Sequence, residues 1–86
     1  MNKADKDRHN LIAQMGCLIC GQPAELHHTR AGMGQRGKDV VPLCPRHHRQ
    51  GPFGEAIHNG YKTFCAKYYT EEEMVEMVNS FLRGRL

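Results

Sequence analysis

Two short segments with the same spacing of metal-ligand residues constrain this chain more than any other feature. Cys17-x-x-Cys20 is the first, and Cys44-Pro45-Arg46-His47 supplies the second further along the chain. Zinc prefers four tetrahedral thiolate or imidazole ligands, and structural sites usually take them as two close pairs. The spacing therefore predicts one structural zinc ion held by Cys17, Cys20, Cys44 and His47.

Two alternatives for the fourth ligand remain open at the level of the sequence. His48 could take the place of His47, and so could Cys65. Cys65 falls on the apolar side of a predicted helix, where a free cysteine is an ordinary core residue. In each case the ion has four protein ligands, so the site is closed and has no position for a substrate.

The length of the chain explains why a metal staple is expected. Its 86 residues suffice for one domain, spanning 1–86, and a chain this short buries only a small core. Hydrophobic residues make up 40% of the chain and tryptophan is absent, which favours a core stabilised by metal or disulfides. The sequence shows neither a secretory signal nor a membrane span. We therefore expect a cytoplasmic protein whose cysteines bind metal.

Periodicity and turn signals predict an α+β fold with three helices or more. The apolar segment 40–43 indicates a short strand halted by Pro42 and Pro45. A Thr-x-x-Glu capping box at 70–73 predicts the start of the last helix. The predicted order is a helix over 4–15, strands over 23–29 and 40–43, a short helix over 45–49, and helices over 61–69 and 71–83.

Four histidines outside the preferred zinc set suggest a second ion with hydrolytic chemistry. They are His27, His28, His48 and His58. Hydrolysis of a phosphodiester needs a cation on the phosphate and a base for the attacking water, and the pKa of histidine suits the base. The alternatives are that the adjacent histidines bond only to backbone, that His58 is a turn residue before Asn59, and that His9 is merely solvated.

At these residues the chain resembles a known family. The run Cys17-x-x-Cys20, Leu26-His27-His28, Asp39-Val40-Val41-Pro42-Leu43-Cys44 and His47-His48 resembles the HNH, or ββα-metal, endonuclease motif in its zinc-knuckle form. The segments His27-His28-Thr29-Arg30 and Pro42 to Gly51, with His58, are similar to the phage recombination-enhancement (Ref) nuclease family. The resemblance covers about half of the chain. It implies a small ββα-metal domain with a zinc knuckle, flanked here by an N-terminal helix and two C-terminal helices.

The resemblance also implies a role for each matching residue. His28 is the general base, while His27 and His48 are ligands of the catalytic ion. His58 has no place in the broad motif, but its distance after the helix makes it a candidate third ligand. Asp39 stands where the family usually has asparagine, so it would orient His28 or bind the ion itself.

The ligand types and the resemblance together define the expected reaction. Imidazoles suit zinc, manganese, cobalt or nickel better than magnesium, which prefers oxygen ligands. The expected activity is metal-dependent hydrolysis of DNA with little sequence preference. Similarity to the recombination-enhancement family further implies a strand-exchange (recombinase) filament as partner.

Five cations lie next to the proposed site in the sequence and predict contacts with DNA phosphates. They are Arg30, Arg36, Lys38, Arg46 and Arg49. The net charge of +3 is compatible with nucleic acid but is not diagnostic. The competing interpretations are an ordinary scatter of solvated charge and, for the whole chain, a non-catalytic zinc module that binds DNA or a protein. The sequence leaves the oligomeric state open.

Overall fold

A computed structural model describes residues 3–30 and 40–85 of the chain. Within this part the chain forms two strands, three α-helices and one turn of wider π-helix, which we call the π-turn. The elements are α1 (Lys3–Gln14), β1 (Glu25–His28), β2 (Val40–Leu43), the π-turn (Arg46–Gln50), α2 (Tyr61–Lys67) and α3 (Glu71–Arg83). The predicted elements are thus all present, and the bounds of α3 agree with the sequence-based expectation.

The two strands form an antiparallel hairpin. His27 pairs with Val41 and His28 pairs with Val40. Pro42 was expected to halt β2, and this was wrong, because it lies buried within the strand opposite Leu26. A proline is tolerated there because a two-stranded sheet leaves each strand one edge where no N–H donor is needed.

Helices cover the hairpin and form the core with it. α1 packs against both strands and against α3, and α3 packs against β2. Every residue of β2 is buried, which agrees with its uninterrupted apolar sequence. The largest apolar side chains of the core include Ile12, Leu43, Phe64 and Met74. The chain is therefore a small α+β protein, as expected. None of the helices in residues 3–30 and 40–85 is long and apolar enough to cross a bilayer.

The last helix begins with the predicted capping box. The Glu73 amide donates to Oγ1 of Thr70, and the Thr70 amide donates to the Glu73 carboxylate. Each of these hydrogen bonds satisfies a backbone N–H group that has no partner within the helix. The box thereby fixes where α3 starts, and Glu71 becomes its first residue. This position matters below, because the Glu71 side chain is buried rather than solvated.

The π-turn joins the hairpin to the helices and ends where the chain passes close to its own backbone. Pro45 precedes it with φ of −52°, a value that suits the entry to a helix. At the other end the Gly51 amide donates to the carbonyl of Arg46. A Cβ at Gly51 would lie 2.5 Å from that same oxygen. Only glycine fits this exit from the turn without displacing backbone.

Gly51→Ala is expected to destabilise the protein by about 1–3 kcal/mol, the usual cost of forcing an extra carbon into a packed site. Thermal unfolding followed by circular dichroism measures the change. Gly84→Ala is the matched control, since a Cβ there meets nothing closer than 3.7 Å. Equal unfolding temperatures for the two variants would show that the backbone at Gly51 has room to relax.

Candidate metal centre and histidine cluster

Four side chains from the two predicted pairs converge on one point, which we call the staple site. They are Cys17, Cys20, Cys44 and His47, and their ligand atoms all lie within 4.8 Å of one another. Nδ1 of His47 lies 3.3 Å from Sγ of Cys44 and 3.8 Å from Sγ of Cys17. The Sγ atoms of Cys20 and Cys44 are 3.6 Å apart.

These distances fit a tetrahedral zinc ion. Bonds of about 2.3 Å to sulfur and about 2.0 Å to nitrogen place the ligand atoms of such an ion roughly 3.5–3.8 Å apart. The separation of Cys20 and Cys44 is far too long for a disulfide, whose sulfurs lie about 2.05 Å apart. Burial alone would raise the pKa of Cys17, but hydrogen bonds from the backbone at Cys44, Cys20 and Ile19 bring it below the ordinary value, which favours the thiolate. The four residues can therefore hold an ion such as zinc.

The first cysteine pair lies in a turn that glycine makes possible. Gly16 and Gly21 both have positive φ, 81° and 79°. The Gly21 amide donates to the carbonyl of Cys17, which closes the turn. The Leu18 amide donates to the carbonyl of Pro42, which ties the turn to β2. The pair is thereby held beside the strand that leads to Cys44.

His47, and neither His48 nor Cys65, lies with the three cysteines of the staple site. His48 belongs to a different cluster, and Cys65 lies half-buried on α2 outside both groups. His47 is buried, and burial lowers its pKa, so its ring stays neutral and able to bind metal. The prediction of the staple set from its spacing is confirmed as a set of side chains close enough to bind a metal.

A second convergence brings together three of the remaining histidines, which we call the histidine cluster. His27, His48 and His58 each place a ring nitrogen within 4.8 Å of the others. The Nε2 atoms of His48 and His58 are 3.1 Å apart. The ring centroid of His27 lies 5.2 Å from that of His48 and 5.0 Å from that of His58. A ring nitrogen from each residue can thus reach one ion.

The π-turn sends consecutive histidines to different sites. His47 is directed to the staple site and His48 to the histidine cluster. Two backbone hydrogen bonds pin the segment that follows: the Ile57 amide donates to the carbonyl of His47, and the His58 amide donates to that of His48. These bonds bring His58 back beside His48 although ten residues separate them.

One ring nitrogen of His27 is buried and has no hydrogen-bond partner among the described residues. The ring's Nε2 lies 2.7 Å from Oε2 of Glu71, and since a carboxylate only accepts, Nε2 carries the hydrogen. Nδ1 is then a bare acceptor, and it is buried without a partner among the described residues. Burial lowers the pKa of His27 despite the carboxylate, so the ring is neutral. A buried lone pair of this kind fits a metal ligand.

His48 has a similar outer partner. Its Nδ1 donates to Oε2 of Glu25 over 2.5 Å, so the lone pair of the neutral ring lies on Nε2, which faces Nε2 of His58. Arg49 donates to the same carboxylate from Nε at 2.8 Å. The hydrogen bond from Arg49, then that from His48, lowers the pKa of Glu25 to about 2. Carboxylates that hold the second nitrogen of a ligand histidine orient its ring and make it more basic.

His58 completes the cluster from its exposed side. Burial of its ring, followed by the neighbouring charge of His48, lowers the pKa of His58, so this imidazole is also neutral. The rings of His27 and His58 can therefore each offer an uncharged nitrogen to a cation.

The other predicted site residues have varied locations. His28 is exposed at the end of β1, and its ring lies edge-on to His9, with centroids 6.4 Å apart. His9 therefore has a ring neighbour as well as solvent. Arg30 and Arg46 are exposed. Arg49 is exposed and paired with Glu25 as described above. Asp39, Arg36 and Lys38 lie outside the described residues, so their roles stay predictions.

Sequence reasoning missed two carboxylates that contact the histidine cluster. Glu25 lies two residues before His27, so strand alternation places both on one face, and that signal was available. Glu71 gave only the signal of an acidic residue in the first turn of a helix, which predicts a solvated side chain. Its contact with His27 spans 44 positions of the chain and needs the packed structure to be seen.

Comparison with known proteins gives one relative without an assigned role. The chain is 32% identical over 66 residues to a protein of Escherichia coli (strain K12) named uncharacterized protein YdfU. The match includes 69% of this chain and 17% of that relative, so the chain spans about a sixth of its length. No protein-family model matches the chain. No solved structure matches it.

Proposed function

We propose that the protein is a metal-dependent DNA endonuclease of the HNH, or ββα-metal, kind. The observation that carries the proposal is the histidine cluster, with its bare and buried Nδ1 of His27. Three protein ligands leave coordination positions open, as catalytic sites do, whereas the staple site is closed by four. Two strands followed by a helical turn that carries a ligand also agree with the motif on which the resemblance rests.

The roles in this proposal follow from the positions of the side chains. His27, His48 and His58 would hold a divalent ion, with zinc, manganese, cobalt and nickel preferred over magnesium for imidazole ligands. Such an ion supplies positive charge where negative charge develops on the phosphate. His28 would accept the proton of the attacking water at a ring nitrogen. Its exposure at the end of β1 supports this role, because solvent and substrate can both reach the ring.

The proposed partner is DNA, bound through its phosphates. Arg30 is held over the ring of Tyr61, with its guanidinium carbon 3.7 Å from the ring centroid. A cation restrained in this way loses less freedom when it contacts a phosphate. Arg46, exposed on the π-turn, adds charge near the staple site. Contacts of this kind carry little sequence information, which agrees with weak sequence preference.

The proposal predicts a second ion and a cleavage activity that depends on it. Protein washed with a mild chelator should keep one zinc and regain a second, exchangeable divalent ion. Nicking of plasmid and displacement-loop DNA, with and without a recombinase filament, should appear only when the second ion is present. His58→Ala removes an exposed ligand, so it should retain the staple zinc while losing the second ion and the nicking.

The same measurements identify the competing function. A single tightly held zinc, with no exchangeable site and no nicking under any ion, would favour a non-catalytic zinc module that binds DNA or a protein. Nicking that persists in His58→Ala at the wild-type rate would remove this residue from the proposed site.

A further inference from the structure

We propose that Glu71 is a positioning residue that presents Nδ1 of His27 to the ion and anchors the adjoining phosphate-binding arginine. The inference rests on the proposed function of the histidine cluster and adds to it a residue from a distant helix. Glu71 is the first residue of α3 and is only 1% exposed. An acidic side chain is seldom buried this far unless several partners compensate for the loss of water.

The carboxylate of Glu71 has three donors from three parts of the chain. Nε2 of His27 lies 2.7 Å from Oε2. The hydroxyl of Tyr61 donates to Oε1 over 2.7 Å, and the Arg30 amide donates to the same oxygen over 2.9 Å. The hydroxyl, the amide and the imidazole can each donate, so both oxygens of the carboxylate act as acceptors.

This arrangement determines which nitrogen of His27 is free. Because both oxygens of Glu71 accept, Nε2 of His27 donates, and a hydrogen on Nδ1 would be buried without an acceptor among the described residues. The lone pair on Nδ1 is then available in the metal-free protein, and the ring needs no change of tautomer before it binds an ion. An outer partner of this kind typically contributes 10–100-fold to metal affinity.

The same carboxylate fixes the arginine beside the ion. It accepts from the backbone of Arg30 and from the hydroxyl of Tyr61, the ring over which the guanidinium of Arg30 stacks. One buried side chain thus positions both the proposed metal ligand His27 and the neighbouring cation Arg30. Glutamine cannot replace Glu71, because it has an NH2 group in place of one carboxylate oxygen. That group would face a donor from which Glu71 accepts a hydrogen bond.

The test is Glu71→Gln, with metal affinity as its readout. In protein that keeps its staple zinc, the affinity of the histidine cluster for cobalt, followed by visible absorption, should fall about 10–100-fold. The matched control is Glu72→Gln, an exposed residue in the same helical turn that loses the same charge and should bind cobalt as the wild type does. Unchanged cobalt affinity in Glu71→Gln would overturn the inference.

A second measurement needs no variant, so a failure of Glu71→Gln to fold does not prevent the test. Nitrogen-15 NMR of wild-type protein, with the staple zinc retained and the cluster free of metal, should show His27 with hydrogen on Nε2 and none on Nδ1. Hydrogen on Nδ1 would overturn the role of Glu71 while leaving the cluster as a metal site. A wild-type protein that binds no cobalt at the cluster would instead overturn the proposed function together with this inference.

Discussion

Removal of zinc from the staple site is expected to unfold the protein. Zinc binding to small structural sites contributes about 10–16 kcal/mol at neutral pH, while domains of this size have a total stability of about 5–15 kcal/mol. The staple residues come from the turn after α1, from the position that follows β2 and from the π-turn, so one ion would link three segments of the chain. A strong chelator should therefore abolish the helical circular dichroism signal, and added zinc should restore it.

The cysteines provide a matched set of variants for this prediction. Cys44→Ser should behave as the chelated protein does, because it removes a staple ligand. Cys65→Ser changes a half-buried cysteine outside the site, so it should fold and keep one zinc per chain. The contrary result would be cooperative unfolding of chelated wild-type protein at the same temperature as the zinc-loaded protein. That result would show that the apolar core suffices without metal.

His28→Ala is expected to reduce cleavage about 10²–10⁴-fold, the usual contribution of a general base. The side chain is exposed, so its loss removes little packing and the variant should unfold at nearly the wild-type temperature. Metal content should also be unchanged, because His28 lies outside both metal clusters of the described residues. Single-turnover nicking of a labelled substrate with saturating ion measures the chemical step.

His9→Ala is the appropriate control for this variant. It removes the ring that lies edge-on to His28 but no atom placed in the reaction, so any loss should be a small fraction of that in His28→Ala. Activity of His28→Ala within a few-fold of the wild type would exclude it as the base. The measured metal content would still show whether a second ion is bound, because that measurement is independent of the cleavage activity.

Local signals in the sequence predicted much of the fold. The capping box set the start of α3 because its two hydrogen bonds involve only neighbouring residues. The four staple residues were predicted because tetrahedral zinc imposes a short spacing on each pair. The spacing favoured His47 as the fourth ligand but left His48 open. The choice between them depends on how the π-turn, with its wider spacing, directs two adjacent side chains.

Of the two outer partners of the histidine cluster, Glu71 could not be predicted, because its contact with His27 depends on packing over a long separation in the chain. The hydrogen bond between Glu71 and His27 forms only when α3 lies against the hairpin. Pro42 was misjudged for a related reason: proline disfavours strands in general, and only the two-stranded sheet shows that its missing N–H costs nothing there. Asp39, expected to orient the base, lies outside the described residues.

If the histidine cluster binds an ion as proposed, the adjacent positions of His47 and His48 on one turn imply an order of metal loading. His48 lies on the turn that His47 would anchor to the zinc, so we expect the histidine cluster to form only after the staple site has been filled. A chain deprived of zinc would then be inert however abundant the other divalent ions are. The supply of one metal would set the fraction of molecules able to use another.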